Sequence, residues 1–209
     1  LSGVVGEWGF FHAGDDHTRI IDEHWYMTDY VVDRRTYPDK PMYPLTAVNV
    51  SAEDYVMSPH EDWVKSALSF NGKDQYAVLE HDRMMQPHIF TGSKLPRGHA
   101  ERKEFTISGE DLRNPQVYTS NFLIEVLFKA ENTDSIIAEK FGKTGYSLSI
   151  DKDGKPVFMA GEQSIIGSSP LNDGTWHHLI AECDRNGKKL TLYHNGKKDT
   201  EGAGPESSE

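Results

Sequence analysis

Short apolar segments that alternate with polar residues, separated by turn-forming residues, dominate the chain between Trp63 and Tyr193. Neighbouring side chains of a strand point to opposite faces, so this alternation is typical of strands with one buried face. In the clearest run, 122–128, every second residue from Phe122 to Phe128 is apolar and Glu125 lies between them. Segments of this kind recur about every ten residues, which is typical of an all-β domain. The pattern predicts a mainly β fold, an antiparallel β-sandwich of the jelly-roll class.

Turn residues between these segments predict which strands form hairpins. Asn-Gly and Asp-x-x-Gly sequences favour tight connections because Gly and Asn tolerate the left-handed backbone conformation. The predicted hairpins are 67–79 around Asn71-Gly72, 146–159 around Asp151–Gly154, and 176–194 around Asp184–Gly187.

The two ends of the chain differ in composition from its centre. Residues 1–62 are rich in His, Asp and aromatic residues, and Pro38, Pro41, Pro44 and Pro59 exclude a long helix there. We expect an irregular arm with one short helix from Thr18 to Asp29. From Lys197 onwards the Gly, Pro, Ser and charged residues are typical of a linker or frayed tail. The predicted organisation is therefore an arm (1–62), a sandwich (63–200) and a flexible tail (201–209).

Charge and residue counts exclude several classes of partner. The chain has 22 Lys plus Arg against 33 Asp plus Glu, a net charge of −11. Duplex nucleic acid and anionic membranes require the opposite balance, so neither is an expected partner. The longest apolar runs are too short for a membrane-spanning helix. Cys183 is the sole cysteine, so an internal disulfide and cysteine-rich zinc or iron–sulfur sites are excluded.

Three segments, in order, resemble the laminin-G-like, concanavalin-A-like lectin/glucanase domain. The most specific is Asp-Gly-Thr-Trp-His-His-Leu-Ile-Ala at 173–181, followed by Lys-Leu-Thr-Leu-Tyr-His-Asn-Gly-Lys at 189–197. The others are 67–78 and the strand 122–128. The resemblance covers about residues 63–200, with an insertion at about 81–120. Further strands are usual after the Asn-Gly-Lys hairpin, so we expect a domain that is incomplete at its C-terminal end and completed by a partner chain or by the rest of the protein.

The resemblance implies a non-catalytic recognition or assembly module in a secreted or periplasmic protein that is part of a larger protein or complex. The expected ligand is a glycan or a protein surface, bound by rim loops or by the concave sheet. Glucanases of this group carry an E-x-D-x-x-E strand that supplies their two catalytic carboxylates, and it is absent here, so no catalytic residue is predicted. The candidate ligand-binding residues are Tyr146, Asp151, Asp153 and His194.

Metal binding has two possible locations in the sequence. Calcium sites are common in the family and use loop carboxylates, so Ca²⁺ is a candidate cofactor, although Asp151-x-Asp153-Gly154 itself is best interpreted as a plain turn. The arm carries the densest set of imidazoles and carboxylates, and His12, Asp16, His17 and His24 are its candidate metal ligands. The simpler interpretation is a polar arm that contacts another subunit. The alternative function is a fragment or subunit of a larger metalloenzyme, with the laminin-G-like part as an accessory domain.

Several conspicuous residues have structural interpretations. His177 and His178 are strand neighbours on opposite faces, so they are expected to be framework residues and not a chelating pair. Trp176 is expected in the core and Cys183 as a buried thiol. For Glu125, solvent or a neighbouring lysine is the expected partner. A third hypothesis is a purely structural subunit that completes a partner's sheet.

Overall fold

The computed structural model describes Phe10, Arg19–Ile20, 45–57, 66–78, 121–140 and 145–206. The chain divides into two compact units, Leu1–Gln116 and Val117–Glu209. Within the described ranges there is no helix that combines the length and the apolar character needed to cross a membrane.

The first unit contains two small antiparallel sheets. One sheet has the order β1-β2-β5 and the other pairs β3 with β4. The strands are β1 (Arg19–Ile20), β2 (Leu45–Val48), β3 (Tyr55–Met57), β4 (Ser66–Leu68) and β5 (Tyr76–Val78), with a 3₁₀ turn at Ala52–Asp54. Ala47 and Val50 form a small buried cluster. Residues 45–57 were expected to be irregular, but there β2 and β3 pair with strands from 66–78.

The hairpin predicted around Asn71-Gly72 does not form. β4 pairs with β3 and β5 pairs with β2, so residues 69–75 connect two different sheets. Asn71 explains the difference, because its Oδ1 accepts hydrogen bonds from the backbone N–H groups of Lys73 at 2.9 Å and Asp74 at 3.2 Å. The asparagine therefore closes a wider loop around its own side chain instead of a two-residue turn.

The second unit is an antiparallel β-sandwich of two four-stranded sheets. Their strand orders are β10-β9-β8-β7 and β13-β12-β11-β6. The strands are β6 (Phe122–Lys129), β7 (Ser135–Lys140), β8 (Tyr146–Ile150), β9 (Pro156–Ala160), β10 (Gln163–Ile166), β11 (Trp176–Asp184), β12 (Lys189–His194) and β13 (Lys197–Ala203). The predicted sandwich is confirmed, and so are the hairpins β8–β9 and β11–β12.

The core lies between the two sheets and follows the alternation in the sequence. Along β11 every second residue is buried, starting with His177 and Leu179. The fully buried side chains from both sheets include Phe158, Leu148, Leu179, Leu190 and Leu192. Burying a side chain of this size stabilises the fold by about 1.5–3 kcal/mol. The predicted burial of Cys183 is confirmed, since it lies in this cluster with no exposed surface.

Lys197–Ala203 has the composition of a linker or frayed tail, yet it forms β13 and pairs with β12 along its length, including residues 201–203 of the predicted flexible tail. This strand extends the sheet beyond the Asn-Gly-Lys hairpin, where no further strand was expected. Its charged residues suit an edge strand, and Gly202 allows close packing, because a Cβ there would lie 2.6 Å from Cγ2 of Ile165. The segment resembled a tail because its contribution to the fold is backbone pairing and not apolar burial.

Candidate functional site

The outer face of the sheet β13-β12-β11-β6 carries a band of aromatic and polar side chains. Because Leu179, Ala181 and Cys183 point into the core, the residues between them point outwards. The outward residues of β11 are Trp176, His178, Ile180, Glu182 and Asp184, and each is half-buried. Trp176 was expected in the core and instead lies on this outer face, one position before the inward-facing His177.

Two hydrogen bonds orient the polar groups of this outer face. His178 Nε2 lies 2.7 Å from Oε1 of Glu125 on the neighbouring β6. On the other side, the Tyr193 hydroxyl donates to Oε2 of Glu182 at 3.0 Å. Both contacts are diagonal pairs across neighbouring strands. The residue of β11 directly opposite Glu125 and Tyr193 is Ile180, and the hydrogen bonds go to the residues two positions before and after it. Glu125 therefore has a histidine partner, where solvent or lysine was expected.

Charges on this face largely compensate one another. The hydrogen bond to the Glu182 carboxylate raises the pKa of Tyr193, so its phenol stays protonated and remains a donor. On β13, hydrogen bonds from Lys198 and Lys189 lower the pKa of Glu201. Lys198 Nζ is 2.6 Å from a Glu201 carboxylate oxygen, and this hydrogen bond raises the pKa of the lysine. A face of paired charges suits a neutral polar ligand better than a strongly charged one.

The arrangement has the groups that bind hydroxyl-rich ligands. Trp176 and Tyr193 offer ring surface, and Ile180 lies between the two polar pairs. Each carboxylate uses one oxygen in its hydrogen bond, Oε1 of Glu125 and Oε2 of Glu182. Within the described ranges, the second oxygen of each remains able to accept a ligand hydroxyl.

A second polar cluster lies on the inner face at one end of the same sheet. His177 is only 5% exposed, and its Nδ1 is 2.9 Å from Nε2 of His194 while its Nε2 is 3.0 Å from Oδ1 of Asp173. Thr175 also donates to that Asp173 oxygen, at 2.7 Å from its hydroxyl and 2.9 Å from its backbone nitrogen. The histidine ring packs on Phe128 with 5.8 Å between the ring centroids. Both nitrogens of His177 are thus occupied, which is the framework role predicted for it.

The surroundings of this inner cluster lower the pKa of two of its groups, Asp173 and His194. The hydrogen bonds from Thr175 and then from His177 lower the pKa of Asp173 to about 2. Burial, followed by repulsion from His177, lowers the pKa of His194. At neutral pH the Asp173 carboxylate is therefore ionised and the His194 imidazole is neutral.

The four predicted ligand-binding residues do not form one site. Tyr146 begins β8 and packs against Phe122 with 5.0 Å between the ring centroids, and burial raises its pKa. Asp151 and Asp153 follow the other end of β8, in the turn to β9. Asp151 Oδ1 accepts backbone hydrogen bonds from Asp153 at 2.8 Å and Lys155 at 2.9 Å, as a plain turn requires. His194 belongs to the inner cluster. A ligand-binding role for these residues stays a prediction.

Metal binding also stays a prediction. His12, Asp16, His17 and His24 lie outside the described residues. In the part of the chain that the structure describes, no three His, Cys, Asp or Glu side chains are grouped so that they could hold a metal ion. The calcium prediction and the metalloenzyme alternative thus rest on the sequence alone.

The outer face was missed by the sequence analysis, although a signal for it exists. Placing Leu179 and Ala181 in the core requires Trp176, His178 and Glu182 to lie on the opposite face. The sequence does not contain the register of the strands. Register brings Glu125 to His178, 53 positions later in the chain, and Tyr193 to Glu182, 11 positions earlier.

Part of this chain is similar to solved structures. No curated protein matches the sequence. Among solved structures, domains LG4-5 of the mouse laminin α1 chain give a TM-score of 0.39 at 15% identity, covering 44% of this chain and 25% of that one. A protein from Bacteroides ovatus to which carbohydrate binding has been attributed gives a TM-score of 0.35 at 22% identity, covering 41% of this chain and 26% of that one. The chain thus corresponds to about a quarter of each of those proteins.

The family comparison is decisive, because one family model matches residues 103–209, which is half of the chain and includes all eight strands of the sandwich. The resemblance seen in the strands at 122–128, 173–181 and 189–197 is therefore confirmed. This chain belongs to the concanavalin A-like lectin/glucanases superfamily, in its laminin-G branch.

Proposed function

We propose that the sandwich of this chain is a non-catalytic carbohydrate-recognition module that binds a neutral saccharide on the outer face of the sheet β13-β12-β11-β6. The observation that carries the proposal is the pair of oriented carboxylates around Ile180, with Glu125 held by His178 and Glu182 held by Tyr193. Membership of a superfamily that includes lectins supports the same ligand class.

The chemistry of the face favours a sugar over a charged ligand. A pyranose has an apolar ring face, which packs on aromatic rings, and hydroxyl groups, which bind carboxylates that are already oriented. Trp176 supplies ring surface beside the His178–Glu125 pair, and Tyr193 supplies it beside Glu182. Because these polar groups are held by each other before the ligand arrives, little conformational entropy is lost on binding.

Binding to an array of immobilised neutral oligosaccharides tests the proposal. We expect the full chain to bind at least one of them, and Trp176→Ala or Glu182→Gln to weaken that binding about tenfold, a loss of about 1.4 kcal/mol. The matched control is Tyr76→Ala, which removes an exposed aromatic ring from the first unit. Thermal melting of each variant separates loss of binding from loss of folding.

Two outcomes contradict the proposal. One is the absence of saccharide binding by the wild-type chain, which would favour a protein ligand. The other is saccharide binding that both outer-face substitutions leave unchanged, which would move the site to another surface, such as the loops that carry Asp151 and Asp153.

We further propose a secreted or periplasmic location and a place in a larger protein or assembly. Support comes from the family resemblance and from the residues before 103, which lie outside the family match. The predicted boundary after residue 62 stays part of this proposal. Native mass spectrometry of the protein from its source, compared with the denatured sample, tests it. A single chain of 23.6 kDa in both spectra would contradict the assembly.

A further inference from the structure

The chain contains three Asn-Gly pairs in loops, at Asn71, Asn186 and Asn195. Asparagine is a thermolabile residue, because the backbone nitrogen of the next residue can attack its side-chain amide carbon. Glycine in the following position leaves that nitrogen least hindered and its backbone most mobile. The sequence therefore marks three equivalent candidates for this reaction, and the structure distinguishes them.

The side chain of Asn71 is held by several hydrogen bonds. Its Oδ1 accepts from the backbone nitrogens of Lys73 and Asp74, and its Nδ2 donates to Oδ1 of Asp74 at 2.8 Å. Rotation of its amide carbon toward the nitrogen of Gly72 would break these bonds. The reactive rotamer is therefore disfavoured.

Asn195 is also restrained, within the β12–β13 hairpin. Its Oδ1 accepts the backbone N–H of His178 at 3.0 Å, and its own backbone nitrogen donates to the carbonyl of His178 at 2.8 Å. Asn195 and Gly196 have φ values of 49° and 75°, the paired left-handed conformation of a type I′ turn. The side chain is thus part of the sheet edge and is fixed with it.

Asn186 differs from both. It lies exposed in the β11–β12 turn, and within the described ranges its side-chain amide makes no hydrogen bond. Its one hydrogen bond is from its backbone nitrogen to Oδ1 of Asn121, at 3.4 Å. Next to it, the backbone nitrogen of Gly187 donates to Oδ1 of Asp184 at 3.0 Å. A carboxylate therefore already lies at the nitrogen that must lose its proton.

We propose that Asn186 is a site of spontaneous deamidation in the folded protein. The nitrogen of Gly187 forms a bond to Cγ of Asn186, the bond from Cγ to Nδ2 breaks, and Nδ2 leaves as ammonia with the proton lost by Gly187. Water then opens the resulting succinimide at either carbonyl, which yields aspartate or isoaspartate at position 186. The product adds a negative charge beside Asp184 at the tip of the hairpin.

Incubation of the full chain in mildly alkaline buffer tests this assignment. Peptide mapping by mass spectrometry, with fragmentation that distinguishes isoaspartate, follows all three asparagines in one sample. We expect most of the conversion to occur at Asn186 while Asn71 and Asn195 remain amides, and we expect Asn186→Ser to remove that product without accelerating the other two sites.

The same incubation in concentrated urea is the control. Unfolding removes the hydrogen bonds of Asn71 and Asn195, so all three sites should then react at similar rates. Equal reaction of the three sites in the folded protein would overturn the proposal. So would earlier conversion of Asn71 or Asn195, or no native reaction at Asn186 when it reacts in urea.

Discussion

His177 and His178 are neighbours in the sequence, yet the two faces of one strand give them different roles. His177 faces the core, with 5% of its surface exposed and both ring nitrogens occupied. The side chain of His178 is 37% exposed, and its hydrogen bond within the described ranges is with Glu125, whose side chain is 59% exposed. The inner face uses its polar groups for folding, whereas the outer face holds the polar groups that we propose bind a ligand. Burial decides the difference, because a buried polar atom must find a partner within the protein.

The two faces should differ most in how much their apolar residues on β11 contribute to the free energy of unfolding. Leu179→Ala removes a fully buried side chain and should lower the free energy of unfolding by about 2–5 kcal/mol. Ile180→Ala, one position along on the outer face, should lower it by less than about 1.5 kcal/mol, because that side chain is only half-buried. Urea unfolding curves measure both. Equal losses would show that the outer face is covered as well as the inner one.

Substitution of the two histidines should give a smaller contrast. His177→Gln leaves Asp173 and His194 without their buried partner and should cost about 1–3 kcal/mol of unfolding free energy. His178→Gln should change it by less than about 0.5 kcal/mol, since its hydrogen bond to Glu125 lies on an exposed face. Urea unfolding at neutral pH provides the comparison. A costly His178→Gln would contradict the assignment of that residue to a ligand-binding face.

Two groups of the inner face should make stability fall in acid. The folded state lowers the pKa of His194 below 6.5, so the unfolded chain binds the proton first and stability declines as pH falls from about 6.5. Asp173 has its pKa lowered from 3.8 to about 2, so its contribution is lost between about pH 4 and 2.

Thermal melting across this pH range should show both declines in the wild type. His194→Gln should reduce the first decline and Asp173→Asn the second. Ile180→Ala is the matched control on the outer face, because it removes no titratable group and should leave the shape of the pH curve unchanged. A curve that keeps its slope near pH 6 in His194→Gln would show that another group is responsible.

The smallest expected effect concerns Tyr193. Glu182→Gln removes the carboxylate that accepts its hydrogen bond, so the raised pKa of Tyr193 should fall toward its ordinary value. Difference ultraviolet titration of the variant against the wild type measures this shift. Glu125→Gln is the control, since Glu125 contacts His178 and not the tyrosine. An unchanged titration in Glu182→Gln would show that the two side chains are not held together in solution.

Local sequence patterns predicted the parts of the fold that depend on local rules. Alternation at 122–128 identified β6, because the period of a strand is a property of the backbone. The predicted hairpin 176–194 contained β11 and β12. The turns at Asp151–Gly154 and Asp184–Gly187 were predicted because the backbone freedom of Gly and the hydrogen bonds of Asp side chains act within a few residues. Asn71-Gly72 has the same local signal, and its hairpin prediction was wrong because β4 and β5 found partners elsewhere in the chain.

By itself, the sequence of this protein determined a sandwich with an inner and an outer face along each strand, and the family to which it belongs. The tertiary structure decided which residues meet. His177 reaches His194 across 17 positions and His178 reaches Glu125 across 53, both through strand register. Likewise β13, with few apolar residues, became part of the sheet through its backbone pairing with β12. Register and backbone pairing depend on the whole sheet, since each strand is aligned by its neighbours, and no short segment contains that information.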